Sequence, residues 1–121
     1  MKTSSISKQN FKGLPVRLHF SDDHFVYVIP GSWIDTALLS PIAQDLLATI
    51  VANMNDQNII PVHSYFKKQF ASNYNKTIAT STIDNSLQQL LKMGIIKRKM
   101  NGIYEVSREY YIHKDGLSKQ I

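Results

Sequence analysis

Residues Thr80 to Val106, TSTIDNSLQQLLKMGIIKRKMNGIYEV, carry the clearest signals of secondary structure in this chain. In its first half, apolar residues recur at spacings of three and four, which predicts a helix from about Thr80 to Met93. Gly94 follows immediately, at the place where a helix favours a residue in the left-handed conformation. The stretch therefore begins with one amphipathic helix that has a definite end.

The second half of the stretch changes to the pattern of a β-hairpin. Ile95–Lys99 and Ile103–Val106 both predict strands, and the first of them is basic. Asn101-Gly102 lies between them, and Asn-Gly between two strand-like segments is the strongest short signal of a tight hairpin turn. A helix followed by a basic hairpin is the order of a recognition helix and its wing.

Two helices and a short strand precede this unit. Ser40-Pro41 suits a helix start, and apolar residues at helical spacing continue to about Asn53. Ile59–Val62 predicts an edge strand because it contains a proline. A second helix is expected from about His63 to Tyr74. The whole order predicts an α+β fold, a winged helix-turn-helix with three core helices and a β-hairpin wing, over a core that includes Phe66, Phe70, Leu87, Leu90, Ile95, Ile96 and Tyr104.

The N-terminal part predicts a second hairpin. Val16–Phe20 and Phe25–Ile29 have strand-like patterns, and the residues between them, Ser21–His24, are typical of turns. A short apolar segment begins at Trp33. We expect a flexible tail over residues 1–13, a single domain over 14–112 that includes this hairpin, and a C-terminal tail over 113–121.

Composition narrows the class of protein. The chain has 121 residues, no cysteine and a formal net charge of +5. Residues 62–121 hold ten Lys and Arg against four Asp and Glu, a net of +6, so the positive charge lies in the half that carries the predicted DNA-binding unit. A charged surface that only aids solubility is the alternative. The sequence shows no signal peptide or membrane span, which favours a cytoplasmic protein.

Catalysis is not expected. The four histidines lack metal-ligand spacing, and without cysteine a zinc site would need carboxylates that are not placed nearby. The Asp22-Asp23-His24 segment resembles an acid/base cluster, but a hairpin turn uses the same residue types. No Gly-rich phosphate loop is present. The prediction is a protein that is not an enzyme and has no cofactor or metal.

The polar face of the third predicted helix is the candidate for reading DNA bases. Hydroxyl and carboxamide side chains can bond to base edges, and Asn or Gln can bind adenine with two hydrogen bonds. A helix face that is only solvated more often carries Glu–Lys pairs, although a merely polar face remains the alternative. The base-reading residues would be Ser81, Thr82, Asn85, Gln88 and Gln89.

Basic residues around this helix are the candidates for phosphate contacts, which supply affinity and orientation rather than sequence choice. On a strand, Lys97 and Lys99 should share one face while Arg98 points to the other, near the core. A charged edge strand that resists aggregation is the alternative. The full set of phosphate and wing residues is Lys67, Lys68, Lys76, Lys92, Lys97, Arg98, Lys99 and Asn101.

From about Phe25 to Ile112 the chain resembles RepL-type plasmid replication proteins of Gram-positive bacteria, which are winged-helix proteins. The resemblance lies in FVYV, LSPIAQDLLATIVANM, NIIPV and above all STIDNSLQQLLKMGIIKRKMNGIYEVSREYY. The chain differs at Ser107-Arg108, where that family commonly has Asn-Pro. The resemblance implies a DNA-binding protein that acts at a plasmid origin with host replication proteins, or that represses its own operon.

Two other functions remain open from the residues themselves. The chain could be a winged-helix transcriptional repressor, or a protein-interaction winged helix that does not bind DNA. In the second case the N-terminal hairpin would be the contact surface, by addition of a strand. A homodimer formed through that hairpin or through the first helix is a further expectation, because many such proteins read paired half-sites.

Overall fold

The computed structural model describes residues 16–31, 35–73 and 78–116. The predictions for residues 1–13, Trp33, Lys76 and the last five residues lie outside these ranges. The described residues form three helices and six strands, in the order β1 (Val16–His19), β2 (Phe25–Val28), α1 (Pro41–Asn53), β3 (Ile59–Pro61), α2 (Ser64–Ser72), α3 (Thr80–Lys92), β4 (Ile96–Met100), β5 (Ile103–Val106) and β6 (Tyr111–His113).

The strands form two small antiparallel sheets. One has the order β3-β5-β4, and the other has the order β1-β2-β6. The α+β class predicted from the sequence is therefore confirmed. None of the described helices is both long and apolar enough to cross a membrane.

Helix α1 begins and ends where the sequence predicted. Ser40 is the N-cap, its Oγ accepts a hydrogen bond from the Ala43 N–H at 3.2 Å, and Pro41 is the first helical residue. This arrangement satisfies one N–H of the first turn, and proline loses nothing there because its position needs no donor. The apolar stripe enters the core through Ala43, Leu46, Leu47, Ile50 and Val51.

Helices α2 and α3 complete the helical part of the core. Helix α3 covers nearly the whole predicted range, and Gly94 follows it with φ of 75°, in the left-handed conformation expected of it. Helix α2 starts one residue later than predicted, with His63 as its N-cap. The predicted core is confirmed: Phe66 is partly buried, and Phe70, Leu87, Leu90, Ile95, Ile96 and Tyr104 are buried.

The predicted hairpin of β4 and β5 is present, with a turn that differs from the mirror-image type that Asn-Gly suggests. Gly102 has φ of 77°, but Asn101 does not share a positive φ. The strand register also shifts between Arg98 and Met100. A bulge of this kind adds local twist and lets a glycine alone take the left-handed position.

Strand β6 was not predicted. The sequence places the end of the domain at Ile112, whereas His113 pairs with Val26 in the N-terminal sheet and Gly116 is buried. Strand β6 is only three residues long, so its pattern is too short to distinguish from a fraying tail. Its position depends on contacts with distant parts of the chain.

Asn58 joins the two sheets and is fully buried. Its Nδ2 donates to the Val106 carbonyl at 3.0 Å and to the Tyr111 carbonyl at 2.7 Å, and its Oδ1 accepts from the His113 N–H at 3.1 Å. Its φ is 63°, a left-handed conformation that asparagine tolerates better than most residues. One side chain thus fixes β6 beside the end of β5.

Candidate functional site

The exposed side of α3 carries a narrow polar stripe. Ser81, Asn85, Gln88 and Lys92 are all exposed, and their positions fall within about 60° of one another around the helix. The opposite side of α3 is fixed in the core by Ile83, Ser86, Leu87 and Leu90. The stripe therefore points outward on a helix that cannot easily rotate. Thr82 lies at its border and is half-buried.

Gln89 was predicted to read bases, but the structure engages its side chain elsewhere. Its Oε1 accepts a hydrogen bond from the Ser40 N–H at 3.1 Å, and its Nε2 donates to Ser40 Oγ at 3.1 Å. The same Ser40 Oγ caps α1, so Gln89 supports the start of that helix from α3. Both polar atoms of the amide are occupied, and we leave Gln89 out of the base-reading set.

Lys67 is likewise engaged within the protein. Its Nζ lies 2.8 Å from Asp84 Oδ1, and its side chain is only 25% exposed. This ion pair connects α2 to Asp84 of α3, three residues after the exposed Ser81. Lys67 is thus placed to hold the two helices together. The adjacent Lys68 is exposed and has no ion-pair partner among the described residues.

Helix α2 presents an aromatic side chain that sequence reasoning did not assign to the site. Tyr65 is 72% exposed, while Lys68 and Gln69, three and four residues later, are exposed on the same side of the helix. A tyrosine hydroxyl can donate to a phosphate oxygen. The signal was available in the sequence, because Tyr65 precedes the apolar Phe66 and falls outside the Phe66–Phe70 stripe.

The basic strand β4 divides its charges between two faces as predicted. Lys97 and Lys99 share a face, where their Nζ atoms lie 3.9 Å and 3.3 Å from Oε1 of Glu105 on the paired strand. Glu105 therefore offsets part of the positive charge on this face. Strand alternation alone does not predict this pairing, because it does not indicate which residue of the neighbouring strand lies opposite the lysines.

Arg98 points to the other face, over the core. Its guanidinium carbon lies 5.7 Å from the centre of the Tyr104 ring, and its NH2 group donates to the Tyr104 hydroxyl at 3.4 Å. Since Tyr104 is buried, Arg98 lies at the edge of the core as predicted. Cation–π contact of this kind holds the guanidinium in place beside the Tyr104 ring.

The tip of the β4–β5 hairpin lies against the start of α2. A Cβ atom built on Gly102 would fall 2.5 Å from the His63 ring, so any other residue here would require that ring to move, and the φ of 77° also favours glycine. The Val62 N–H also donates to the Gly102 carbonyl at 2.8 Å. The hairpin tip and the N-terminal end of α2 are thus held together, and exposed Asn101 projects beside them. Lys76, the remaining predicted phosphate contact, lies outside the described residues.

Titratable groups also meet near the C-terminal end of α1, where His24 contacts both that helix and β6. The His24 Nε2 donates to the Ala52 carbonyl at 2.6 Å, and the His24 and His113 rings are 5.5 Å apart. Burial lowers the pKa of His113, and His24 acts in the same direction, while Asp115 opposes both. No group of three or more metal-ligating side chains occurs in the described part of the chain.

Two tyrosines beside this region have raised pKa values. Burial, with the hydrogen bond that the Tyr110 hydroxyl donates to Asp35 Oδ2 at 2.7 Å, raises the pKa of Tyr110 to about 12. Burial alone raises the pKa of Tyr111. Both phenols therefore stay protonated at neutral pH. The Tyr110–Asp35 hydrogen bond connects the segment that precedes α1 to the residue directly before β6.

No protein-family model matches this chain, and neither a curated protein nor a solved structure gives a significant match to it.

Proposed function

We propose that this chain is a winged helix-turn-helix protein that binds double-stranded DNA, with α3 in the major groove and the β4–β5 hairpin as the wing. The element order α1-β3-α2-α3-β4-β5 and the sheet order β3-β5-β4 support this interpretation. In such a unit the second helix of the motif enters the major groove, and the first crosses the phosphate backbone.

The observation that carries the proposal is the exposed stripe of Ser81, Asn85 and Gln88, which ends at Lys92. Three uncharged hydrogen-bonding side chains lie in one line on a helix whose other faces are buried or bonded. Base edges in the major groove present donors and acceptors to which such side chains can form hydrogen bonds. A helix face that only contacts water more often carries Glu–Lys pairs than a line of uncharged polar side chains.

The phosphate-contacting set is smaller than composition suggests. We assign the backbone contacts to residues of α2, α3 and the hairpin tip that are exposed, namely Tyr65, Lys68, Lys92 and Asn101. Lys67 is paired with Asp84, and Lys97 and Lys99 share Glu105. The wing therefore contributes less positive charge than its three consecutive basic residues imply.

The test begins with selection and sequencing of DNA fragments that the full chain retains, followed by binding measurements with the selected site and with random DNA. Asn85→Ala or Gln88→Ala should weaken binding to the selected site by about 1–3 kcal/mol and change random-DNA binding little. Gln57→Ala, at an exposed glutamine after α1, is the matched control. An equal loss on both DNAs would refute base reading, and no binding at low salt would refute the DNA proposal.

The replication role rests on the resemblance to RepL-type plasmid replication proteins. We propose that the chain is a plasmid replication initiator or replication regulator, with a transcriptional repressor as the alternative. The selected site separates the two. An initiator requires its site for maintenance of a plasmid that carries the gene, whereas for a repressor, loss of the site raises transcription of the gene without loss of the plasmid.

A further inference from the structure

Strand β1 is exposed along its whole length, although it carries large apolar side chains. Val16 is 66% exposed and Leu18 is 39% exposed. Within the described residues, β1 pairs with β2 on one side and with no strand on the other. Phe20, which follows the strand on the same face as Val16 and Leu18, packs against the core. Val16 and Leu18 therefore lie on the same face as a residue that packs on the core, but they are themselves exposed to solvent.

The hydrogen bonds determine which backbone groups of β1 point outward. The Phe20 N–H donates to the His24 carbonyl at 2.8 Å, and the Phe25 carbonyl accepts from Lys114 on the far side of β2 at 3.2 Å. Since hydrogen-bonded and non-bonded pairs alternate, the N–H and C=O groups of Leu18 face β2. Those of Arg17 and His19 face outward, where nothing described bonds to them.

We propose that two copies of this chain pair antiparallel through their β1 edges, with Leu18 at the two-fold axis. In this register Arg17 of each copy is opposite His19 of the other. The four outward groups of each edge, two N–H and two C=O, then all find partners, which gives four hydrogen bonds. The result is a continuous six-stranded sheet with the order β6-β2-β1-β1-β2-β6.

Two neighbouring registers also keep the outward groups opposite one another, but each leaves one outward carbonyl of every edge without a donor. A register centred on Arg17 sets two guanidinium groups opposite each other and sets His19 opposite Pro15, which has no N–H to donate. A register centred on His19 sets Arg17 opposite Ser21, whose N–H already donates to the His24 carbonyl at 3.2 Å. The register centred on Leu18 uses every group.

The side chains favour the same register. The two Leu18 side chains form a close non-hydrogen-bonded pair, and Val16 of each copy meets Phe20 of the other, so that the exposed apolar surface is covered. On the opposite face, the Arg17 guanidinium already lies 5.0 Å from the Phe25 ring and 5.8 Å from the Tyr27 ring of its own copy. The register centred on Leu18 therefore covers the apolar face of a second copy and does not set one Arg17 opposite the other. The contact is small, so we expect a dimer that dissociates on dilution.

The register can be tested by cross-linking because the chain contains no cysteine. In the proposed register the two Leu18 residues form a non-hydrogen-bonded antiparallel pair. The Cα atoms of such a pair are about 4.5 Å apart, within the range of a disulfide. Leu18→Cys should therefore give a covalent dimer under mild oxidation. Val16→Cys is the matched control, since its counterpart would lie four residues away, about 13 Å along the strand. Cross-linking of Val16→Cys as efficiently as of Leu18→Cys would contradict the register.

The backbone bonds can be tested with sedimentation of the full chain without DNA. We expect a mass that rises with concentration from 13.8 kDa towards twice that value. Arg17→Pro removes an outward N–H without breaking a bond to β2, and it should keep the chain monomeric. Arg17→Met, which retains that N–H, should still dimerise. A wild-type chain that stays monomeric would overturn the proposal and leave this edge to a different strand.

This dimer does not rest on DNA binding, and both measurements are made without DNA. A monomeric chain that binds its site would therefore refute the pairing alone, and a dimer that binds no DNA would refute the proposed function alone.

Discussion

The side-chain amide of Gln89 bonds to Ser40 through both of its polar atoms, each at 3.1 Å. Ser40 caps α1, and Gln89 lies on α3. This relationship fixes the start of one helix against the middle of another. It also divides two consecutive glutamines of α3 by role, because Gln88 is exposed while Gln89 is half-buried.

That division gives the first prediction. Gln89→Ala should lower the free energy of unfolding by about 1–2 kcal/mol, because the Ser40 N–H loses its partner. Gln88→Ala should leave stability nearly unchanged and weaken binding to the selected DNA site. Chemical denaturation and site-specific DNA binding of both variants provide the comparison. If the two substitutions had interchangeable effects, the structural role of Gln89 would be wrong.

The second prediction concerns Glu105, which lies between two lysines of the β4–β5 hairpin. Glu105→Gln should raise affinity for all DNA sequences about twofold to tenfold at low salt, because it removes a negative charge that offsets Lys97 and Lys99. Binding to random DNA across a salt series is the measurement. Glu109→Gln, at an exposed glutamate outside the hairpin, makes the same change in net charge. An equal gain in that control would assign the effect to net charge alone.

The third prediction concerns Asn58, the buried residue that joins the sheets. Asn58→Gly keeps the left-handed backbone accessible but leaves two carbonyls and the His113 N–H without this partner, so stability should fall by at least about 2 kcal/mol. Asn58→Ala should cost about 1 kcal/mol more, since its Cβ disfavours that conformation. Thermal or denaturant unfolding gives both values. Hydrogen exchange at the His113 amide should accelerate in both variants, and unchanged protection there would exclude Asn58 as the connector.

The fourth prediction is a pH dependence that originates at His113. Its Nδ1 accepts the Asp115 N–H at 3.0 Å, which requires the unprotonated form of that nitrogen. Burial, as the largest cause, lowers the pKa of His113 in the folded state. The unfolded state therefore takes up a proton first as pH falls. The stability that His113 contributes is complete above the ordinary histidine pKa of about 6.5 and is lost as pH falls through the lower folded value.

Unfolding measured at several pH values between 7 and 5 tests this behaviour. His113→Asn retains a side-chain acceptor for the Asp115 N–H but cannot titrate, so the decline in stability should be shallower in that variant than in the wild type. Equal slopes would mean that His113 contributes nothing to the pH dependence.

Much of the fold could be predicted because its signals are local. The apolar stripe of α1 and the Ser40-Pro41 cap predicted that helix within a residue. Gly94 ends α3 because glycine adopts the left-handed conformation that follows a helix more readily than other residues. Strand β6 could not be predicted, because Tyr111–His113 has no periodicity of its own. Its place is set by Asn58, more than fifty residues earlier in the chain.

The candidate site shows the same limit. Helical periodicity alone identified the exposed positions of Ser81, Asn85 and Gln88, and strand alternation alone separated Arg98 from the two lysines. Neither pattern could indicate that Asp84 meets Lys67 or that Glu105 lies between Lys97 and Lys99. Those pairs depend on which elements pack together.

The helices, the β4–β5 hairpin and the polar stripe of α3 could be predicted, because each follows from residue spacing within a single element. Only the tertiary structure decided which side chains of the candidate set remain free to bind a ligand, and that the outward edge of β1 is left without a partner in the described chain. The physical reason is that hydrogen bonds and ion pairs form between neighbours in space, and distant parts of the chain become neighbours only when it folds.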